Sequence, residues 1–207
     1  MQGNRLDMKN YPRKDHFQYF LNMEYPYVGT TVNIDITKWM TRRKETGNPF
    51  FLSFLHAVGN AANSITELRQ RIDQEEIVEF DHCKLSYTVG LENGTYCYCS
   101  VSVDKPLDEF IVYARKEQDQ AIKIPTISDG DEELALIFIS SLPWLAYTSL
   151  VQPVPSPADS NPRITWGKYF EQDNKILIPV SILCHHALVD GIHLSQFYEN
   201  LIARLNI

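Results

Sequence analysis

Lys175-Ile176-Leu177-Ile178-Pro179-Val180-Ser181-Ile182-Leu183-Cys184-His185-His186-Ala187-Leu188-Val189-Asp190-Gly191 is the stretch from which the rest of this chain can be read. Residues 175–183 form an apolar run of buried-strand length. Residues 192–205, beyond the glycine, are amphipathic at helical spacing. Between them lie a cysteine, two histidines and an aspartate, a density of proton-carrying groups found nowhere else in the sequence. The local reading is a buried strand, a tight turn and a last helix.

Strand geometry limits what the histidines can do. Neighbouring residues at a strand end point to opposite sides, so at most one of His185 and His186 faces a given cavity. That argues against both ligating one metal, and one histidine with Asp190 lacks the further ligands zinc takes; no metal is expected. A single histidine with an ordinary pKa near 6.5 suits general-base catalysis on a substrate hydroxyl. Asp190 could orient that histidine or anchor the turn through an arginine. Gly191 fits a backbone position that would be strained for other residues. The turn would serve equally as a strand-to-helix connection with satisfied polar groups, and local chemistry alone leaves the two readings level.

A second apolar strand, residues 134–139, ends at Ser140 as the first ends near His186. If the two strands are neighbours, the Ser140 hydroxyl reaches the same cleft as a donor to a developing oxyanion. Taken alone it is a strand-end hydroxyl. No Gly-x-Ser-x-Gly elbow, phosphate-cradling glycine loop or dinucleotide fingerprint occurs.

Of 207 residues, 44% are hydrophobic and 12% aromatic, material for a full core in one domain spanning 1–207. The formal charge of −7 argues against a nucleic-acid partner. Arg42-Arg43-Lys44 is the only basic cluster and reads as a solvated helix face. Cys83, Cys97, Cys99 and Cys184 complete no zinc spacing. With no apolar signal segment they read as buried thiols in a reducing compartment, and the expected location is cytoplasmic. No run approaches the ~20 apolar residues that span a bilayer, so no membrane is expected.

Along the chain, residues 1–11 read as extended and Pro12 as the opening of a helix over 13–22. Residues 28–36 alternate as a strand, and Thr37 is a plausible N-cap for a helix over 38–45. Phe50, Phe51, Phe54, Leu55, Val58, Ala61, Ala62 and Ile65 make a wide helical stripe in which His56 reads as a packing residue. Residues 76–80, 85–89 and 96–103 alternate as strands of an antiparallel meander. Residues 106–123 turn helical, and 151–162, with four prolines, form a long surface connection. Strands over 164–170 and 176–183 close the order. Helices and strands are mixed without regular alternation, which predicts an α+β fold: a mixed or antiparallel sheet with helices packed on one face.

The sequence around His185-His186-Ala187-Leu188-Val189-Asp190-Gly191-Ile192-His193 resembles the active-site motif of the chloramphenicol acetyltransferase family, within a wider superfamily of coenzyme A-dependent acyltransferases. Four more stretches resemble that family in order and spacing: Arg13-Lys14-Asp15-His16-Phe17, Asn33-Ile34-Asp35-Ile36-Thr37, Ile139-Ser140-Ser141-Leu142-Pro143-Trp144 and Thr165-Trp166-Gly167-Lys168-Tyr169. The resemblance implies that His186 is the general base and that an acceptor hydroxyl attacks acetyl-CoA directly. It implies that Ser140 donates to the tetrahedral oxyanion, that Thr165 helps hold a water there, and that Asp190 pairs with Arg13 to fix the turn. Tyr169 and Trp144 would contribute to the coenzyme A site. It also implies a homotrimer with interfacial active sites, and chloramphenicol as the default acceptor in antibiotic resistance.

The chain departs from the family pattern around the acceptor. Tyr25-Pro26-Tyr27-Val28-Gly29-Thr30-Thr31 is longer and differently ordered, Ile124-Pro125 stands where Phe-Pro is common, and a lysine near the coenzyme is replaced around Pro49. Another small alcohol is therefore the alternative acceptor. Two rivals remain beside the family reading. A dihydrolipoyl acyltransferase core would carry an Asp-His-Arg start to the motif, where this chain has His185-His186-Ala187. A non-catalytic binding module would have no chemical reason to keep His186, Asp190, Arg13, Ser140 and Thr165 together.

Overall fold

The computed structural model describes residues 3–206, the side chain of Asp131 excepted. Met1 and Gln2, from the stretch read as extended, lie outside the described residues. The order begins β1 (Asn4–Arg5), α1 (Lys14–Leu21), β2 (Tyr27–Asp35), α2 (Thr37–Thr46), α3 (Phe50–Asn63), β3 (Gln70–Asp73) and β4 (Glu76–Glu79). It continues β5 (Lys84–Gly90), β6 (Tyr96–Val101), α4 (Leu107–Lys123), β7 (Leu136–Leu142), β8 (Arg163–Gly167), β9 (Phe170–Gln172), β10 (Lys175–His185) and α5 (Gly191–Leu205). The architecture is α+β, with a mixed sheet ordered β2-β10-β8-β7-β5-β6, β9 pairing β10, and a small sheet ordered β1-β4-β3.

The apolar run becomes a central strand because both its edges are covered. β10 pairs antiparallel with β2 from Leu177↔Asp35 to His185↔Tyr27, and with β8 and β9 on its other side. Pro179, which has no N–H to give, falls between the end of β9 pairing at Leu177 and the start of β8 pairing at Val180. Gly29 lies opposite Leu183, and a Cβ there would sit 2.5 Å from the Ile182 carbonyl oxygen, so only glycine lets β2 approach this closely.

The stripe of α3 is buried as its spacing predicts. Phe54, Leu55, Val58, Ala61 and Ala62 are fully enclosed, and each large side chain among them contributes about 1.5–3 kcal/mol. Phe54 and Phe51 meet Trp166 with ring centroids 5.1 and 5.5 Å apart, so Trp166 faces the helices. By alternation Thr165 faces the opposite, helix-free side of the sheet.

Several local expectations change. Residues 76–80, 85–89 and 96–103 are not one meander: β4 belongs to the small sheet, and β5 pairs antiparallel with β6 but parallel with β7. Thr37 is not the N-cap of α2. It is the first helical residue, and the Asp35 carboxylate accepts both its N–H at 3.0 Å and its hydroxyl at 2.6 Å. The stretch read as one strand over 164–170 breaks into β8 and β9. His56 does pack, against Phe110 with centroids 5.1 Å apart.

Candidate active site

The turn after β10 holds the two histidines differently. His186 donates its backbone N–H to the Pro26 carbonyl at 2.7 Å, and its ring stacks on Phe20 of α1 with centroids 3.8 Å apart. Its Nδ1 lies 3.0 Å from the Val189 carbonyl oxygen. A carbonyl only accepts, so Nδ1 carries a proton, and in the neutral ring the lone pair is therefore on Nε2. Tautomer and ring plane are thus both fixed, as a neutral proton acceptor requires.

His185 shares a face with Tyr27, their centroids 5.8 Å apart, and its Nδ1 accepts the Ala187 N–H at 3.2 Å. Burial pushes its pKa down from 6.5 to about 4, the Asp159 carboxylate opposing and His186 reinforcing the shift. The folded state therefore favours the neutral ring, while the unfolded chain binds a proton as pH falls below 6.5. This stabilisation is fully present above about pH 6.5 and is lost as pH falls toward 4, a loss of up to about 3 kcal/mol. Thermal midpoints measured from pH 7.5 to 4 should fall across that window, with a shallower slope in a His185→Asn variant. Parallel slopes would mean that His185 is not the group responsible.

Asp190 is the N-cap of α5, its side chain accepting the Ile192 N–H at 3.3 Å. Arg13 Nη2 lies 3.1 Å from the same carboxylate, and Arg13 Nη1 lies 3.2 Å from His193 Nδ1. That Nδ1 also accepts the Asp190 backbone N–H at 3.1 Å. Two donors converging on Nδ1 place the His193 proton on Nε2, which faces Glu67 at 3.6 Å. Arg13, Asp190, His193 and Glu67 thus brace the turn from three separate stretches of the chain. The sequence displayed His193 inside the motif, but its bracing role depends on partners remote in the chain.

Gly191 corrects an expectation. It is the first residue of α5, its φ is not among the positive ones, and a Cβ there would meet nothing within 4 Å. The position is not strained for other residues. Gly191→Ala should leave the thermal midpoint unchanged or raise it, by the equivalent of about 0.4–1 kcal/mol. A clear drop in calorimetry would restore the backbone argument.

On the helix-free face, strand register aligns four hydroxyls in a row: Ser140 opposite Thr165, Thr165 opposite Ser181, and Ser181 opposite Thr31. The Thr165 hydroxyl donates to Gln152 Oε1 at 3.2 Å, and Tyr147 donates to the Thr165 carbonyl at 2.9 Å. Ser140 and Thr165 line a cavity of about 570 Å³, together with Tyr98, Asp129, Glu133 and Gln152. Parallel pairing of β7 with β8 brings the first two together. His186 does not line that cavity. Trp144 is 77% exposed and Tyr169 44% exposed. Their segments are joined where the Lys168 N–H donates to the Leu145 carbonyl at 2.7 Å, and Tyr169 packs on Phe50 with centroids 5.6 Å apart. Gln152 and Tyr147 carried no signal in the sequence.

The sequence model of the family described as chloramphenicol acetyltransferase matches residues 1–202. The chain belongs to the chloramphenicol acetyltransferase family. It is 30% identical over 203 residues to a chloramphenicol acetyltransferase of Clostridium perfringens, covering 96% of this chain and 93% of that one. It is 27% identical to chloramphenicol acetyltransferase 3 of Escherichia coli, covering 97% and 96%. A solved chloramphenicol acetyltransferase superposes with a TM-score of 0.86 at 26% identity, covering 99% of this chain and all of that one. The truncated catalytic core of a 2-oxoacid dehydrogenase multienzyme complex from Thermoplasma acidophilum superposes with a TM-score of 0.69 at 14% identity, covering 97% of each chain, a likeness of fold alone.

Proposed function

We propose that this family member is an acetyl-CoA-dependent O-acetyltransferase acting as one catalytic domain, with chloramphenicol as the first acceptor to test. The observation that carries the chemistry is the His186 tautomer, with Nδ1–H held by Val189 and the Nε2 lone pair free. In this reading Nε2 removes the proton of the acceptor hydroxyl as its oxygen attacks the thioester carbonyl. The Ser140 hydroxyl donates to the oxyanion of the tetrahedral intermediate, and Thr165 helps hold a water beside it. Collapse of the intermediate expels the thiolate, which recovers the proton from His186. Arg13 and Asp190 position the turn, and Trp144 and Tyr169 serve the coenzyme.

Within one chain His186 is not among the residues lining the Ser140–Thr165 cavity, which supports a homotrimer in which one subunit's His186 meets its neighbour's cavity. The reading includes a cytoplasmic location, where acetyl-CoA is available. A second acceptor class has one observation in its favour. Asp129 and Glu133 line the cavity, Asp129 accepting the Ser86 hydroxyl at 2.5 Å, and such a lining suits a neutral or cationic alcohol better than an anionic one. The test is thiol release from acetyl-CoA with chloramphenicol, neutral diols and amino alcohols as acceptors. Acceptor-dependent release is expected. No release with any of them, from protein that is folded and oligomeric, would favour the binding-module reading.

A further inference from the structure

The basic cluster does not form the solvated face that its sequence predicts. Thr41 and Lys44 are exposed, but Arg42 and Arg43 are half-buried and turn inward. With Arg204 from the last turn of α5 they line a pocket of about 360 Å³, and Trp39 and Ser53 also contribute to its wall. Among the described residues none of the three arginines makes an ion pair, and no aspartate or glutamate lines the pocket. Three unpaired guanidinium groups have converged in a chain where 26 acidic residues outnumber 19 lysines and arginines.

Their existing bonds position these groups without neutralising them. Arg42 donates to the Leu205 carbonyl and so caps the negative end of α5. Arg43 Nη1 donates to the Asn48 carbonyl at 3.0 Å, and its guanidinium lies 5.9 Å from the Phe50 ring centroid. Two donors at the pocket remain unmet: Arg43 Nε and the hydroxyl of Ser53, a residue only 4% exposed, are buried with no hydrogen-bond partner. Buried donors are normally paired, and an ion is one of the usual partners when no protein atom is. Leu107, the first residue of the 17-residue α4, also lines the pocket and brings the positive end of that helix dipole.

We infer that this pocket is a binding site for a phosphate dianion, either free or as the monoester group of a small organic phosphate. A multidentate oxyanion matches the planar guanidinium donors and the unmet hydroxyl, whereas a carboxylate offers fewer acceptors. One source is the 3′-phosphate of coenzyme A. Phe50, beneath Arg43, packs on Tyr169, and this source rests on the proposed acetyltransferase reading. The other is inorganic phosphate.

Calorimetric titration of the full chain with inorganic phosphate at low ionic strength tests the site without measuring acetyl transfer, so it can fail independently of the enzymatic reading. Saturable binding is expected, weakened roughly tenfold or more in Arg204→Gln and partly recovered in Arg204→Lys. Arg204 is exposed and outside the proposed catalytic machinery, so its variants should keep the wild-type thermal midpoint. Titrations with coenzyme A and dephospho-coenzyme A then separate the sources. A preference for coenzyme A that disappears in Arg204→Gln assigns the coenzyme's phosphate. Weakened phosphate binding in that variant with both coenzymes unaffected assigns the free ion. No saturable phosphate binding by the wild type, or equal binding by wild type and Arg204→Gln, overturns the site.

Discussion

His186→Ala should lower the rate of acetyl transfer by about 10²–10⁴-fold, the range a positioned general base supplies, while the protein stays folded and oligomeric. The expectation rests on the direction of one proton. Because Val189 offers only a carbonyl, Nδ1 must donate, which puts the neutral ring's lone pair on Nε2, and stacking on Phe20 holds the ring plane. The expected loss is in kcat, with the KM values for both substrates nearly kept, since removing a base leaves most binding contacts in place. His186→Gln should be as slow as alanine, because its amide could fill the space but has no comparable basicity. The measurement is initial-rate thiol release at saturating acetyl-CoA, beside a thermal midpoint and a sedimentation profile for each variant. Turnover within a few-fold of wild type in either variant would remove His186 from the chemistry. His185→Asn, by contrast, should act mainly through stability, because His185 is buried with Nδ1 already engaged.

The sequence displayed the elements whose burial follows one period over a long run. β10, α3 and α5 are of this kind, since each buries a continuous stripe that a substitution pattern must respect. Residues 76–80 were legible as a strand, but β3 and its hairpin with β4 were not, for opposite reasons. Its two-residue turn uses Gln74 and Glu75 at φ 52° and 64°, a geometry usually announced by asparagine or glycine. One of its inward residues is Arg71, fully buried and donating to the Leu68, Gln70 and Leu136 carbonyls, where alternation would call for an apolar side chain. Parallel pairing of β5 with β7 and of β7 with β8 was hidden because partners of that kind lie far apart in sequence. The site divides similarly. Asp190 at the head of α5 is a local signal, whereas its approach to Arg13 was available only through the family resemblance. The Gln152 contact to Thr165 depends on how the proline-rich stretch 151–162 drapes over the sheet, which no periodicity encodes.

Ser140→Ala should cost about 10²–10³-fold in kcat, the usual loss when one oxyanion donor is removed. The more telling result is expected from a mixture. If each active site takes His186 from one subunit and Ser140 from the next, His186→Ala subunits still supply an intact cavity. Ser140→Ala subunits still supply an intact base. Unfolding and refolding the two inactive variants together in equal amounts should assemble a random mixture of trimers in which about a quarter of all interfaces combine both intact halves, so activity returns to about a quarter of the wild-type rate. A site completed within one chain allows no such recovery, because every subunit then carries one lesion in its own site. That His186 is not among the residues lining the Ser140–Thr165 cavity favours the first outcome. A mixture no faster than the sum of its parts, from subunits shown to exchange, would place base and oxyanion donor in the same chain.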